Sequence, residues 1–236
     1  MPKPSLLPAS APGEITIKNH LTAQEHIKPI IFSTPMVRAI LAGTKTQTRR
    51  VIKPQPTGDT FLGVCHDDNN GKVCFSKNCR ITDYVKPPYQ PGDVLWVRET
   101  WQYAGCVGCD KGKNPCSDTC VYVHGTSTTP KPLEFIYKAN PVWDKPDGGW
   151  KPSIYMPREA ARIFLKVTDV RVERLQEITY GDCVREGITR GAGSFIRQDM
   201  RKMYAELWDS LNAKRGYPWD SNPYVFVISF EKTEAV

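Results

Sequence analysis

The sequence predicts an α+β fold in which helices are segregated from the strands instead of alternating regularly with them. Three observations predict it. A short amphipathic helix near the start runs directly into a strand that stops at Pro54. A long alternating run, Ile163 to Arg174, has the two-residue period of a half-buried strand. Tyr224 to Glu231 is a closing strand that follows an amphipathic helix, Phe195 to Asn212. At 236 residues the chain can bury a sizeable core as one domain with insertions, and it contains no internal repeat.

Each element has a local reason. Residues 1–28 are rich in Pro, Ser and Ala, without an apolar segment of signal-peptide length, and are expected to form a mobile tail. The helix 34–42 has Thr34 as its cap, Pro35 at its first position and Met36, Val37, Ile40 and Leu41 as an apolar face. Gly43 supplies the left-handed turn that ends it. Thr46 to Lys53 follows as a strand, then a polar, cysteine-containing insertion over 55–86. The turns at Pro87-Pro88 and Pro91-Gly92 lead into a strand, Val94 to Arg98. A second insertion fills 105–129, and Glu134 to Ala139 reads as a strand. Thr179 opens a short helix that stops near Gly187. The longer helix that follows is amphipathic and carries Met200, Met203, Tyr204, Leu207 and Leu211.

The balance of 32 Lys and Arg against 25 Asp and Glu gives a formal charge of +7, which favours phosphate-bearing partners. No apolar run is long enough to cross a bilayer. Lacking an export signal, the chain is expected in the cytoplasm. There its eight cysteines would persist as thiols or bind metal more readily than form disulfides.

The chemistry-bearing stretch is Gly43-Thr44-Lys45-Thr46-Gln47-Thr48-Arg49-Arg50, together with Glu99 at the end of Gly92-Asp93-Val94-Leu95-Trp96-Val97-Arg98-Glu99. A lysine, a hydroxyl and a carboxylate are the parts of a small hydrolytic site, which needs a nucleophile, a base for its proton, an acid for the leaving group and donors for the oxyanion. Thr48 could attack or position water, a desolvated Lys45 could act as base, and Glu99 could carry the proton. Strict strand alternation puts Lys45 and Thr48 on opposite faces, so their pairing requires the turn after Gly43 to rotate Lys45 inward. The plainer alternatives are a Lys45–Glu99 ion pair between neighbouring strands and a solvated basic face. Arg49, Arg50, Lys53, Arg98 and Arg158 are the candidate contacts to an anionic substrate. Trp96, Trp101 and Trp150 are either stacking surfaces or core.

The helix followed by Gly43-x-Lys45-x-x-x-x-Arg50, and the strand Gly-Asp-x-Leu-x-Val-Arg-Glu, resemble the signature of ASCH domains. The run Trp150 to Arg158 and Asn222-Pro223-Tyr224-Val225-Phe226-Val227 are similar to the ASCH proteins common in bacteriophages and prophages. The resemblance covers about Pro29 to Lys232 outside the two insertions. It implies a PUA-like mixed β-barrel with flanking helices. It also implies either an amidohydrolase that removes acetyl from cytidine, with Lys45, Thr48 and Glu99 as the catalytic set, or a non-catalytic RNA-binding module; a ribonuclease is a further possibility. The three catalytic groups are expected to converge in one cleft, with Arg50 near its mouth.

A second constellation is Cys106-x2-Cys109-x6-Cys116-x3-Cys120, set in a polar loop without a core of its own. Four thiolates so close in sequence can surround zinc tetrahedrally and supply the folding energy that the loop lacks. Free thiols and an iron–sulfur cluster are the alternatives. Cys65, His66, Cys74 and Cys79 could form a second site, and His124 could replace one ligand. Cys183 is expected to be a buried, inert thiol. No organic cofactor is expected.

Overall fold

The computed structural model describes residues 27–58, 60–64, 72–78, 80–103, 135–142, 146, 149–189 and 197–234, with the side chains of 60–64 and 197–199 left aside. The strands are β1 (Ile27–Ile31), β2 (Gln47–Val51), β3 (Thr60–Val64), β4 (Val73–Lys77), β5 (Arg80–Val85), β6 (Val94–Arg98), β7 (Trp101–Tyr103), β8 (Phe135–Tyr137), β9 (Phe164–Arg174) and β10 (Tyr224–Thr233). The α-helices are α1 (Thr34–Leu41), α2 (Tyr180–Arg185) and α3 (Arg197–Asn212). The α+β class expected from the sequence is observed.

The main sheet has the order β1-β6-β9-β10-β2. β1 runs parallel to β6, and the other pairs are antiparallel. β10 lies inside the sheet and is covered on both faces, which explains its near-continuous apolar sequence. Phe226, Ile228 and Phe230 join a core with Phe32, Val37, Ile40, Leu95 and Leu165. Val225 and Val227 point the other way, onto Cys183, Met200, Tyr204 and Trp208 of the helical layer. Each fully buried aliphatic side chain of this kind contributes roughly 1.5–3 kcal/mol.

Among the described strands the sheet does not close into the expected barrel. β1 and β2 remain its two edges, joined at one point by a side chain: the Arg50 guanidinium on β2 donates to the Ile31 carbonyl oxygen of β1 at 2.8 Å. Ile27 and Lys28, expected in the tail, begin β1, where the Lys28 ammonium pairs with Asp93 at 2.6 Å. The first insertion builds an antiparallel sheet of its own, in the order β3-β4-β5. Its Phe75 is buried edge-on against Tyr224 of β10, with ring centroids 4.9 Å apart. β7 and β8 form a separate pair.

Local signals for α1 and α2 hold to within a residue. The N-cap of α1 is Ser33 rather than Thr34, while Gly43 adopts the expected left-handed φ of 72°. Thr179 caps α2 in a reciprocal box with Asp182, and Gly187 ends that segment at φ 89°.

Candidate functional site

Lys45 leaves the end of α1 with its backbone N–H held by the Ala39 carbonyl at 3.1 Å. Its side chain is buried, and its ammonium donates to three oxygens: the Gln47 carbonyl at 2.8 Å, the Glu186 carbonyl at 2.9 Å and Glu186 Oε2 at 2.8 Å. An ammonium has three donors, and all three are used. The other oxygen of Glu186 accepts from Arg49 at 3.2 Å. Arg49 also meets Glu173 at 2.9 Å and Asp182 at 3.3 Å, while Gln47 donates to Asp182 at 3.3 Å. Positions 45, 47 and 49 therefore share the face toward α2, as strand alternation dictates. The rotation that would bring Lys45 toward Thr48 is not observed.

Gly187 allows this approach. A Cβ there would lie 3.0 Å from Ala39 Cβ and 3.1 Å from Lys45 Cβ. Burial pushes the Lys45 pKa below its ordinary value, with the Glu186 carboxylate opposing. For Arg49 desolvation acts downward too, but the surrounding anions, Glu186 foremost, outweigh it and hold its pKa up.

Asp182 closes the network. Arg185 donates to its Oδ1 at 2.6 Å, and Thr179 donates to its Oδ2 through both its amide, at 3.0 Å, and its hydroxyl, at 2.7 Å. Desolvation works to raise its pKa, but these hydrogen bonds and the Arg49 charge hold it well below the ordinary 3.8. In the window between the folded and unfolded values the unfolded chain binds more protons, so this contribution is present above about pH 4 and is lost as pH falls further. We expect the Asp182→Asn variant to lose less of its urea midpoint than the parent between pH 5 and pH 2.5. Parallel acid limbs in the two proteins would contradict this role.

Glu99 stands at the end of β6 and is only 1% exposed. Arg162 grips it with two parallel bonds, from Nε at 2.8 Å and Nη2 at 3.0 Å, and stacks over Tyr137 with Cζ 4.0 Å from the ring centroid. Thr48 lies opposite Ile228 and is also buried. Among the described residues no hydrogen bond or ion pair joins Lys45, Thr48 and Glu99 to one another. Their partners are Glu186 for Lys45 and Arg162 for Glu99, neither of which the sequence reading singled out. Arg162 follows the Met156-Pro157-Arg158 stretch by four residues, and Glu186 precedes the helix-ending Gly187; these are the only sequence cues to either.

The remaining candidate arginines divide. Arg158 is exposed on a short 3-10 turn, Arg158–Ala160. Arg50 and Arg98 line one cavity of about 380 Å³ at the open seam of the sheet, together with Pro29, Ile31, Pro88 and Tyr89. Neither arginine has a carboxylate partner among the described residues. Arg50 lies 5.4 Å from the Phe32 ring centroid, and Arg98 lies 5.4 Å from that of Trp96 while donating to the Ile154 carbonyl. The Arg98 Nε is buried without a hydrogen-bond partner among the described residues. Beside it Ile154 and Tyr155 are exposed, Tyr155 by 72%. Tyr89 donates to the Pro29 carbonyl at 2.8 Å, and burial raises its pKa, which keeps that donor protonated. Trp101 packs against Tyr103 and Phe135 as core.

Cys65, His66, Cys79, Cys106, Cys109, Cys116, Cys120 and His124 lie outside the described residues. Among the described residues no group of His, Cys, Asp and Glu is arranged to hold a metal. Cys74 is disulfide-bonded, in contrast to the free thiol or metal ligand expected for it. Cys183 is a buried free thiol whose pKa is raised by burial, in keeping with an inert role. No described helix is long and apolar enough to cross a membrane. Comparison of the chain with protein-family models, curated proteins and solved structures gives no match.

Proposed function

We propose that the chain is an ASCH-type, PUA-like module that binds a nucleotide or RNA at the seam between β1 and β2. The observation that carries this reading is the pair Arg50 and Arg98 on one cavity, two guanidinium groups without acidic partners among the described residues. A buried or half-buried cation without a counter-ion is costly, and a phosphate accepting from both would relieve that cost. The formal charge of +7 acts in the same direction at longer range. Exposed Tyr155 beside Arg98 offers a face on which a base can stack.

The hydrolase reading of the same resemblance has one observation in its favour, the depressed pKa of buried Lys45. Against it stands the geometry: a lysine whose three donors are all engaged has no free lone pair, and both oxygens of Glu99 are held by Arg162. Purified protein is therefore expected to bind a 5′-phosphorylated nucleotide in titration calorimetry and to release no acetate from acetylated cytidine. Acetate release that disappears in Glu99→Gln would reverse the order of the two readings.

We further propose that Cys106, Cys109, Cys116 and Cys120 hold a structural zinc. Four thiolates fill its tetrahedral shell and leave no open position for a reacting water. Protein purified without chelator should carry about one zinc ion per chain, released on Cys109→Ser with Cys116→Ser. Elemental analysis that finds no metal in the parent protein would exclude the site.

A further inference from the structure

We propose that the seam recognises a terminal phosphomonoester, as its dianion, in preference to the bridging phosphodiesters of a polynucleotide chain; this rests on the phosphate-binding reading of Arg50 and Arg98. The two arginines converge on the end of β1. Arg98 is the register partner of Ile31, the Phe32 amide donates to the Arg98 carbonyl oxygen at 3.2 Å, and Arg50 Nη2 donates to the Ile31 carbonyl oxygen. Each guanidinium lies over an aromatic ring, Phe32 for Arg50 and Trp96 for Arg98, which fixes its position. A guanidinium has five N–H donors. Among the described residues each of these two uses only one, Arg50 on Ile31 and Arg98 on the Ile154 carbonyl.

Charge and acceptor count decide which phosphate fits. Near neutral pH a phosphomonoester carries close to two negative charges on three acceptor oxygens, and so balances both guanidinium groups. A bridging phosphodiester carries one charge on two free oxygens, and leaves one cation of the pair uncompensated in a partly desolvated cavity. The lining offers no other counter-charge: among the described residues Arg50 and Arg98 are its only charged side chains, and burial holds the Arg50 pKa below its ordinary value. Surfaces that track a nucleic-acid backbone present cations along their length, to one phosphate after another. Here the cations meet at one point, flanked by Pro29, Val51 and Pro88. The groups whose charge reaches Arg50 are Tyr89 on the lining and, beyond it, Glu186, Tyr204 and Arg215. Burial raises the pKa of both tyrosines, so neither phenol ionises near neutral pH and the ligand's own second ionisation governs the site.

The experiment uses two ligand pairs on the full chain, by calorimetry and fluorescence anisotropy. One pair is uridine 5′-monophosphate and its methyl diester; the other is one RNA hexanucleotide with a 5′-phosphate or a 5′-hydroxyl. The monoester of each pair is expected to bind at least tenfold more tightly, although the hydroxyl-ended hexanucleotide keeps every backbone charge. The second phosphate pKa is about 6, so the dianion becomes scarce below it. Affinity for uridine 5′-monophosphate should therefore fall about tenfold from pH 7.5 to pH 5, while that for the methyl diester stays level. Arg98→Ala, with its fold checked by thermal unfolding, should bring each monoester down to the affinity of its partner ligand. Equal affinities within both pairs, or a monoester affinity that ignores the second ionisation, would overturn the proposal on the parent protein alone. So would a phosphoserine peptide bound as tightly as the monoester nucleotides, which would assign the seam to a protein ligand. If both members of each pair bind alike and Arg98→Ala weakens both, this inference fails and the seam reading stands. If no ligand binds, or Arg98→Ala alters none, the seam reading fails with it.

Discussion

Glu186→Ala is expected to destabilise the fold by about 3–5 kcal/mol, the usual cost of removing one member of a buried ionic cluster. The reason is the stoichiometry of the contact: one carboxylate, 5% exposed, takes the Lys45 ammonium on one oxygen and the Arg49 guanidinium on the other. Its loss strands the Lys45 ammonium in the interior and leaves Arg49 only Glu173 and Asp182. Lys45→Ala should cost less, because Arg49 continues to neutralise Glu186. The double variant should fall short of the sum of the two single losses by about 1 kcal/mol or more, the signature of residues in one network. Urea unfolding of the four proteins measures the cycle. Additive losses would mean that Glu186 and Lys45 act separately, and a Glu186→Ala variant as stable as its parent would remove the network from the account of stability. Because none of Lys45, Arg49 and Glu186 lines the seam cavity, nucleotide affinity of the still-folded Lys45→Ala variant should be close to that of the parent. A strong loss there would point back to a direct role for Lys45.

What was legible in the sequence is what is decided locally. Gly43 and Gly187 mark helix ends because only their backbones accept the positive φ found there. The Thr179–Asp182 box marks a helix start for the same kind of reason, and the unbroken apolar run of β10 is legible because burial on both faces removes alternation. What was not legible depends on partners remote in the chain. Glu186 lies 141 residues from Lys45, and nothing near it distinguishes it from any glutamate at a helix end. Glu99 and Arg162 are 63 residues apart, and the sequence offered Lys45 as the nearer cation in motif terms. The first insertion reads as a polar segment because Val73 and Phe75 are too few to set a strand period, yet both reach the main core. Barrel closure was an expectation of the resemblance. Whether two edge strands meet is set by sheet curvature, and here Arg50 fills the place that a ladder of backbone bonds would take.

Arg98→Ala should weaken nucleotide binding by about tenfold to a hundredfold, the cost of a charge-assisted contact to an anion in a partly desolvated cavity. Arg98 is the cleaner of the two seam arginines to test. Its structural tie is one bond to the Ile154 carbonyl, whereas Arg50 also holds the edges of the sheet together through Ile31. Arg98→Lys should recover only part of the loss. An ammonium keeps the charge but cannot present two parallel N–H donors to a phosphate or lie flat over Trp96, against whose ring the guanidinium now sits at 5.4 Å. The salt dependence separates a phosphate contact from a packing effect. If Arg98 neutralises a phosphate, removing it should lower the slope of log K against log salt by about one for an oligonucleotide, whereas a packing loss would shift the line without changing its slope. Arg158→Ala, exposed and away from the seam cavity's lining, should move neither quantity. An Arg98→Ala protein with unaltered affinity and slope would take phosphate recognition out of the seam. A slope change in Arg158→Ala instead would move it to the surface around the 3-10 turn.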